Sequence, residues 1–248
     1  MPSLHFIAWN SNHGTLSKCL SDLAKEVPAI VFLQECAPPE SLPLVGQFFS
    51  RRVNAHKGIA LGSLDKDYRL TQLEPRPNSG RAVLAASVTG PVSFAAIGIW
   101  GQRPNYADDV MRTLDAYDDV LRSGPSVVMG DLNSGTNLNK ARSPSKGHSR
   151  ILCRLDDLGL VSAYHSFHHV EHGHETHPTY RHLFKPTRPW HIDFCFVPAS
   201  WGASLEGVNT IDGTEWAKRS DHLPLKVDLQ FTSAGGPGFG PGLSWEPS

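Results

Sequence analysis

Two rhythms of apolar positions divide the chain. Alternating or unbroken apolar runs between Gly, Pro, Asn and Ser predict strands, and recurrence every third or fourth position predicts helices. Leu4 to Asn10 is of the first kind, with Phe6 and Ala8 on one face and Ile7 and Trp9 on the other. Leu16, Leu20, Leu23, Ala24 and Val27 then fall at helical spacing, with Thr15 as cap and Pro28 as stop. Ala29 to Leu33 is a near-continuous apolar strand delivering Gln34 and Glu35 to its end. Lys57 to Gly62 and Tyr68 to Leu73 are shorter strand candidates in a less regular stretch. Ala82–Val88 and Val92–Trp100, joined by Thr89-Gly-Pro, predict an antiparallel hairpin, so the sheets are mixed rather than purely parallel. Tyr106 to Arg122 reads as one amphipathic helix, with Val110, Leu114, Tyr117, Val120 and Leu121 on its buried stripe. A strand follows at Ser126, then a polar surface loop from Asn137 to Gly147 and a helix from Arg150 to Leu158 capped by Gly159. Trp190 to Val197 alternates His191, Asp193, Cys195 and Val197 against Ile192, Phe194 and Phe196. The final strand runs to Phe231, and the Gly- and Pro-rich stretch from Ser233 reads as a flexible tail, which sets the domain at 1–232 and the tail at 233–248.

Chemistry collects where these strands end. Val127, Val128 and Met129 run into Gly130, and Asp131 and Asn133 follow on alternate positions, which an extended chain places on one side. A carboxylate and an amide so placed can take a proton and orient a water or an oxyanion; Gly, Asp, Asn and Ser also make ordinary turns, and this stretch alone does not separate the two. Glu35, at the end of an apolar strand, reads equally as a metal ligand or a surface carboxylate. Asp193 lies inside an apolar run, where an unpaired carboxylate is costly, so a buried partner is expected, and His222 beside Asp221 is the natural one.

Eight of the 13 histidines fall at His165, His168, His169, His172, His174, His177, His182 and His191. Such density suggests zinc, but the spacing is irregular and no cysteine or carboxylate pattern completes a tetrahedral set, so a polar, solvated loop is expected. Its end, Thr176 to His182, carries aromatic and cationic groups suited to a substrate.

Composition narrows the classes. Hydrophobic residues at 40% and charged residues at 19% suit a folded core over 248 residues and exclude a disordered chain. A formal net charge of -1 lacks the strongly basic footprint of tight nucleic-acid binding, although Arg51, Arg52, Lys57, Arg81, Arg103 and Arg112 can still form a local phosphate-binding rim. No apolar run approaches the roughly 20 residues of a membrane span, and the first residues lack signal-peptide character. Cys19, Cys36, Cys153 and Cys195 form no CxxC pair, so free thiols in a reducing cytoplasm are the expectation.

Asn10, Leu33-Gln-Glu35, Gly130-Asp-Leu-Asn133, Ile192-Asp193 and Ser220-Asp-His222, in that order over residues 4 to 231, resemble the endonuclease/exonuclease/phosphatase superfamily, which includes exonuclease III-type abasic-site endonucleases and deoxyribonuclease I. The resemblance implies an α/β fold, a four-layered α/β sandwich of two mixed β-sheets face to face flanked by helices. It also implies metal-dependent ester hydrolysis. Glu35 would bind Mg²⁺, with Mn²⁺ able to substitute, and Asn10 and Asp221 would lie nearby. Asp131 would orient or deprotonate the attacking water, Asn133 would hold that water or the phosphate, and His222, oriented by Asp193, would donate to a phosphate oxygen. Asn12, Arg81, Arg103 and His182 are the expected substrate contacts. The activity expected is that of a DNA endonuclease or exonuclease acting as a monomer, with a phosphatase or phosphodiesterase for a small molecule or lipid headgroup as the alternative. Three departures are visible. Trp100 stands where family members often carry Tyr or His, Cys36-Ala-Pro38 follows Leu-Gln-Glu in place of the abasic-site Thr and Lys, and His191 replaces the usual Arg before Ile-Asp.

Overall fold

A computed structural model describes residues 1–25, 29–37, 46–138 and 147–232. The helix end at Val27 and Pro28, most of the expected 137–147 loop and the expected tail lie outside the described residues. The chain runs β1 (Ser3–Asn10), α1 (Leu16–Leu23), β2 (Ile30–Cys36), β3 (Gln47–Arg52), β4 (Gly58–Ser63), β5 (Arg69–Gln72), β6 (Val83–Thr89) and β7 (Phe94–Ile99). It continues through α2 (Tyr106–Ala116), α3 (Asp118–Ser123), β8 (Ser126–Asp131), α4 (Gly147–Asp157), β9 (Leu160–Ser162) and α5 (Ala163–His168). It closes with β10 (Tyr180–Arg181), β11 (Pro189–Trp190), β12 (Asp193–Pro198), β13 (Leu205–Thr210), α6 (Thr214–Arg219) and β14 (Leu225–Gln230).

Two six-stranded sheets form, in the orders β13-β14-β1-β2-β4-β3 and β5-β6-β7-β8-β12-β9. Both are mixed: β1 and β2 pair in parallel, as do β7 and β8, and the remaining ladders are antiparallel. The alternation read from the sequence decides which side chain enters which layer. Leu4, Phe6 and Ala8 of β1 pack with Phe32, Met129, Cys195 and Val197 in the core between the sheets. Ile7 and Trp9, one residue out of phase, join Leu20 and Leu23 of α1 and Trp216 of α6 on the outer face of the first sheet. Phe194 and Phe196 of β12 turn outward to Val110 and Leu114 of α2 and to Ile151 and Leu155 of α4. The result is the expected four-layered α/β sandwich.

The structure departs from the sequence expectations in four places. The single helix expected from Tyr106 to Arg122 is broken at Tyr117 (φ -109°, ψ 18°), whose buried hydroxyl accepts from the Arg76 amide at 3.4 Å. The strand expected from Trp190 to Val197 is interrupted at His191 and Ile192. There the amides of Ile192 and Asp193 leave the ladder to donate to Thr179 Oγ1, each at 3.1 Å. Thr15 occupies the cap position of α1 with no side-chain hydrogen bond to the helix. The expected solvated histidine loop holds α5, with Tyr164 and His165 buried in it and His191 buried beside it.

Candidate active site

The polar residues singled out in the sequence converge on one rim of the sandwich. Asn10 ends β1, Asp131 ends β8, and Asp193 opens β12 directly across the ladder from Asp131. His222 enters the same corner ahead of β14, where its amide donates to Ser220 Oγ at 3.0 Å and Ser220 Oγ donates to the Asn10 carbonyl at 2.7 Å. Gly130 makes the corner possible. Its φ of +135° suits glycine, and a Cβ there would collide with the Ile99 carbonyl and the Phe32 ring.

Asp131 is fully buried and its carboxylate is held from three sides. Oδ1 accepts from the Asn133 amide at 2.8 Å, and Oδ2 accepts from Asn10 Nδ2 at 3.0 Å and Asn133 Nδ2 at 3.2 Å. Asn133 reaches Asp131 as expected, but by a different geometry. The strand stops at Asp131 and Asn133 turns back through a left-handed backbone (φ 48°), a side-chain-to-backbone turn rather than two positions of an extended chain. Asn133 Nδ2 also donates to the Gly101 carbonyl at 3.2 Å, which ties this turn to the loop leaving β7.

Asp193 and His222 form the buried pair predicted for them: Nδ1 of His222 lies 2.8 Å from Asp193 Oδ2, and Nε2 faces Asp131 Oδ2 at 3.9 Å. Burial alone would lower the pKa of His222, but the charges of Asp193 and Asp131 outweigh it and raise the group to about 9. With Asp193 accepting at Nδ1, the imidazolium turns Nε2–H toward Asp131. Asp131 is pushed above the ordinary carboxylate range, first by burial and then by the charge of Asp193 across the ladder. One ligand atom from each of Asp131, Asp193 and His222 lies within 4.8 Å of the others, a group that could hold a metal ion.

Glu35 is separated from this knot by a device in β2. The register against β4 shifts between Gln34 and Cys36, and Glu35 takes φ 54°, so a bulge re-aims its side chain out of the otherwise buried strand. Its carboxylate accepts from the Lys57 ammonium, a cation at the position where the resemblance puts a metal. Asp221 adjoins His222, and its carbonyl accepts from the Arg181 amide at 2.7 Å. Tyr180 was not singled out in the sequence beyond its stretch. Its ring lies 4.6 Å from that of His222. Burial raises its pKa to about 12, with the charges of Asp221, Asp131 and Glu35 adding to the effect, so it remains a phenol at neutral pH. The carboxylates at this corner, one of which has already drawn the Lys57 cation, are donors that suit a hard divalent ion.

The remaining expected contacts lie nearer the surface. The Asn12 amide donates to Asn10 Oδ1 at 3.2 Å, and His182 Nδ1 pairs with the Tyr180 hydroxyl at 2.8 Å, so both border the cluster. Arg103 donates from Nε to the Tyr106 hydroxyl at 3.0 Å, and Tyr106 is close enough to Tyr180 to disfavour its ionisation. Arg81 is exposed before β6 and makes no hydrogen bond to the cluster among the described residues. Arg112 is engaged by Asp109 at 2.6 Å on α2. Trp100 is buried in the inter-sheet core with its indole nitrogen unpartnered.

No family model matches the sequence, and neither does any curated protein. Solved structures do share the fold. An AP endonuclease from Archaeoglobus fulgidus superposes with a TM-score of 0.70 at 18% identity, covering 92% of this chain and 100% of that one. The 3′-5′ exonuclease NExo from Neisseria meningitidis gives 0.67 at 18% identity over the same shares of the two chains. The 3′ phosphatase NExo from Neisseria bound to a product DNA hairpin gives 0.66, again at 18% identity with 92% and 100% covered. The chain thus shares the fold of these three structures, and that fold is the four-layered sandwich implied by the resemblance.

Proposed function

We propose that the protein is a divalent-metal-dependent phosphoesterase that hydrolyses phosphodiester bonds in DNA. The observation that carries this reading is the buried Asp131, fixed by Asn10 and Asn133, standing beside a His222 imidazolium fixed by Asp193. Glu35, Asp221 and the Asn10 amide oxygen would hold Mg²⁺ or Mn²⁺, which would supply Lewis-acid stabilisation of charge on the phosphate oxygens. Asp131, with a proton affinity raised toward neutrality, takes the proton of the attacking water, and Asn133 holds that water in line. His222 donates from Nε2 to a phosphate oxygen as charge builds there, and Tyr180, kept as a phenol, adds a second donor. The DNA hairpin in one structural neighbour and the names of the other two support DNA as substrate.

A second reading is a phosphomonoesterase for terminal or small-molecule phosphates. The net charge of -1 favours it, as does the engagement of Lys57 by Glu35 and of Arg112 by Asp109, which thins the cationic rim.

Supercoiled plasmid nicking with Mg²⁺, with chelator and with Glu35→Ala tests the proposal. Nicking that needs the metal and is lost in the variant supports it. A folded protein that leaves plasmid intact but releases phosphate from 3′-phosphorylated oligonucleotides moves the assignment to the second reading. Salt separates them further, because contacts to several phosphates weaken steeply as salt rises.

A further inference from the structure

A second cluster of titratable side chains adjoins the Gly130–Ser134 segment and takes no part in the chemistry above. His148 comes from α4, His165 from α5, His172 and Glu175 from the segment after α5, and His191 from the break before β12. One ligand atom from each of His165, His172 and Glu175 lies within 4.8 Å of the others. The rings of His165 and His172 stack at 3.5 Å between centroids, His148 lies 6.0 Å from His172, and His191 lies 6.0 Å from His165.

The hydrogen bonds around these rings are those of a ligand shell. His148 Nδ1 meets Ser134 Oγ at 3.2 Å, His165 Nδ1 meets Ser162 Oγ at 2.7 Å, and His191 Nδ1 meets the His177 carbonyl at 2.9 Å. A carbonyl only accepts, so His191 carries its proton on Nδ1 and leaves a lone pair on Nε2. Ligating histidines are commonly oriented by an oxygen on one ring nitrogen while the other is left for the metal. Here Nε2 of His148, Nε2 of His191 and Nδ1 of His172 are all buried without a partner. His148 and His191 are only 1% and 6% exposed, so water does not readily serve them. Glu175 is set in place by the Gly173 amide at 2.9 Å and faces His165 Nε2 at 3.1 Å. Burial holds His148, His172 and His191 neutral at physiological pH, the form a metal takes.

We propose that His165, His172 and Glu175, completed by His148, bind one divalent transition-metal ion of the zinc class. Three imidazoles and one carboxylate form a tetrahedral nitrogen and oxygen set, which suits zinc and not the hard cations that demand oxygen shells. Metal–ligand bonds of about 2.0–2.2 Å require the His165 and His172 rings to part from their stack and the four donor atoms to draw inward. His148 is bonded to Ser134, next to Asn133, so the ion braces the turn that presents Asp131.

The test uses the full-length protein, stripped with chelator and titrated with Co²⁺ and then Zn²⁺. The expected result is one equivalent of Co²⁺ with the visible bands of a tetrahedral site, displacement by Zn²⁺ and a rise in Tm. His172→Ala and Glu175→Gln should weaken Zn²⁺ binding by about 100-fold or more. Glu175→Gln keeps the side-chain shape and the Gly173 hydrogen bond, so it serves if His172→Ala fails to fold. Glu35→Ala, at the separate acidic corner, and the exposed pair His169→Ala and His174→Ala should leave the bands and the affinity unchanged. Absence of tetrahedral bands, their loss in Glu35→Ala, or unchanged affinity in folded Glu175→Gln would overturn the proposal.

Discussion

Replacing Asp193 by Asn removes one charge from the centre of the site while keeping its shape. Asp193 is wholly buried, and its charge is the strongest of the influences that raise His222 to about 9 against the desolvation that lowers it. Without it, only Asp131 and Asp221 oppose the lowering by burial, so His222 should fall back toward its ordinary 6.5; the full fall from about 9 to that value corresponds to about 3.4 kcal/mol at 1.36 kcal/mol per pH unit. Two losses then combine above neutral pH: the imidazole is mostly unprotonated, and its ring is no longer held by a charge-assisted hydrogen bond. A fall of about 100-fold in kcat is expected, within the range of a lost general acid. The pH profile of kcat/KM on DNA is the assay, run beside circular dichroism, because breaking a buried ion pair also costs about 3–5 kcal/mol of stability. The alkaline limb should move down by about two pH units relative to the parent protein. A folded Asp193→Asn with the parental alkaline limb would refute the assignment of His222 as the protonated donor.

Tyr180→Phe deletes one hydroxyl over His222 and should lower kcat about 10-fold with little change in Tm, and an unchanged kcat would remove Tyr180 from the site. Phe32→Ala empties the fully buried ring that packs over Gly130 and should cost about 3–5 kcal/mol in urea unfolding, whereas a cost below about 1 kcal/mol would mean the two sheets do not meet there. Acid should destabilise the metal-free protein. Burial holds His148, His172 and His191 at about 4, 3 and 4 when folded, against 6.5 when unfolded, so the unfolded chain binds more protons as pH falls below 6.5. Asp131, raised when folded, takes up one proton over much of that window and offsets one of the three. Stability should therefore be flat from this source above pH 6.5 and fall by about 2–3 kcal/mol per pH unit toward pH 4, and a level denaturation midpoint between pH 6.5 and 4.5 would contradict it.

The layers were legible because the central strands of the two sheets bury their two faces in different company. The phase difference between Phe6 and Ile7, or between Cys195 and Phe194, is written directly in the alternation. The edge strands β3, β9 and β13 were less visible, since Gln47–Arg52 and Leu205–Thr210 are half exposed and carry little apolar signal. Asp193 and His222 could be paired from sequence because a lone acid in an apolar strand demands a partner. Tyr180 could not, since its place over His222 depends on a two-stranded ribbon and a bridge to His222 that no local pattern announces. The burial of part of the histidine stretch was hidden for a related reason. Its carboxylate, Glu175, lies within the stretch, but His148 comes from α4, and only the fold brings them to one place. The helix break at Tyr117 was hidden because the residue fits the apolar stripe that it interrupts.

Under the proposed mechanism Asp131 performs the chemistry on a bound phosphodiester rather than merely shaping the rim. Asp131→Asn removes the proton acceptor and keeps one oxygen, enough for the Asn10 and Asn133 side-chain donors, while its amide nitrogen faces the Asn133 backbone amide. Binding of a labelled DNA hairpin and its cleavage in Mg²⁺ should be measured side by side for the parent and this variant. Affinity should be retained within a few-fold, and cleavage should fall by about 1000-fold or more. Cleavage at the parental rate by folded Asp131→Asn would contradict that mechanism.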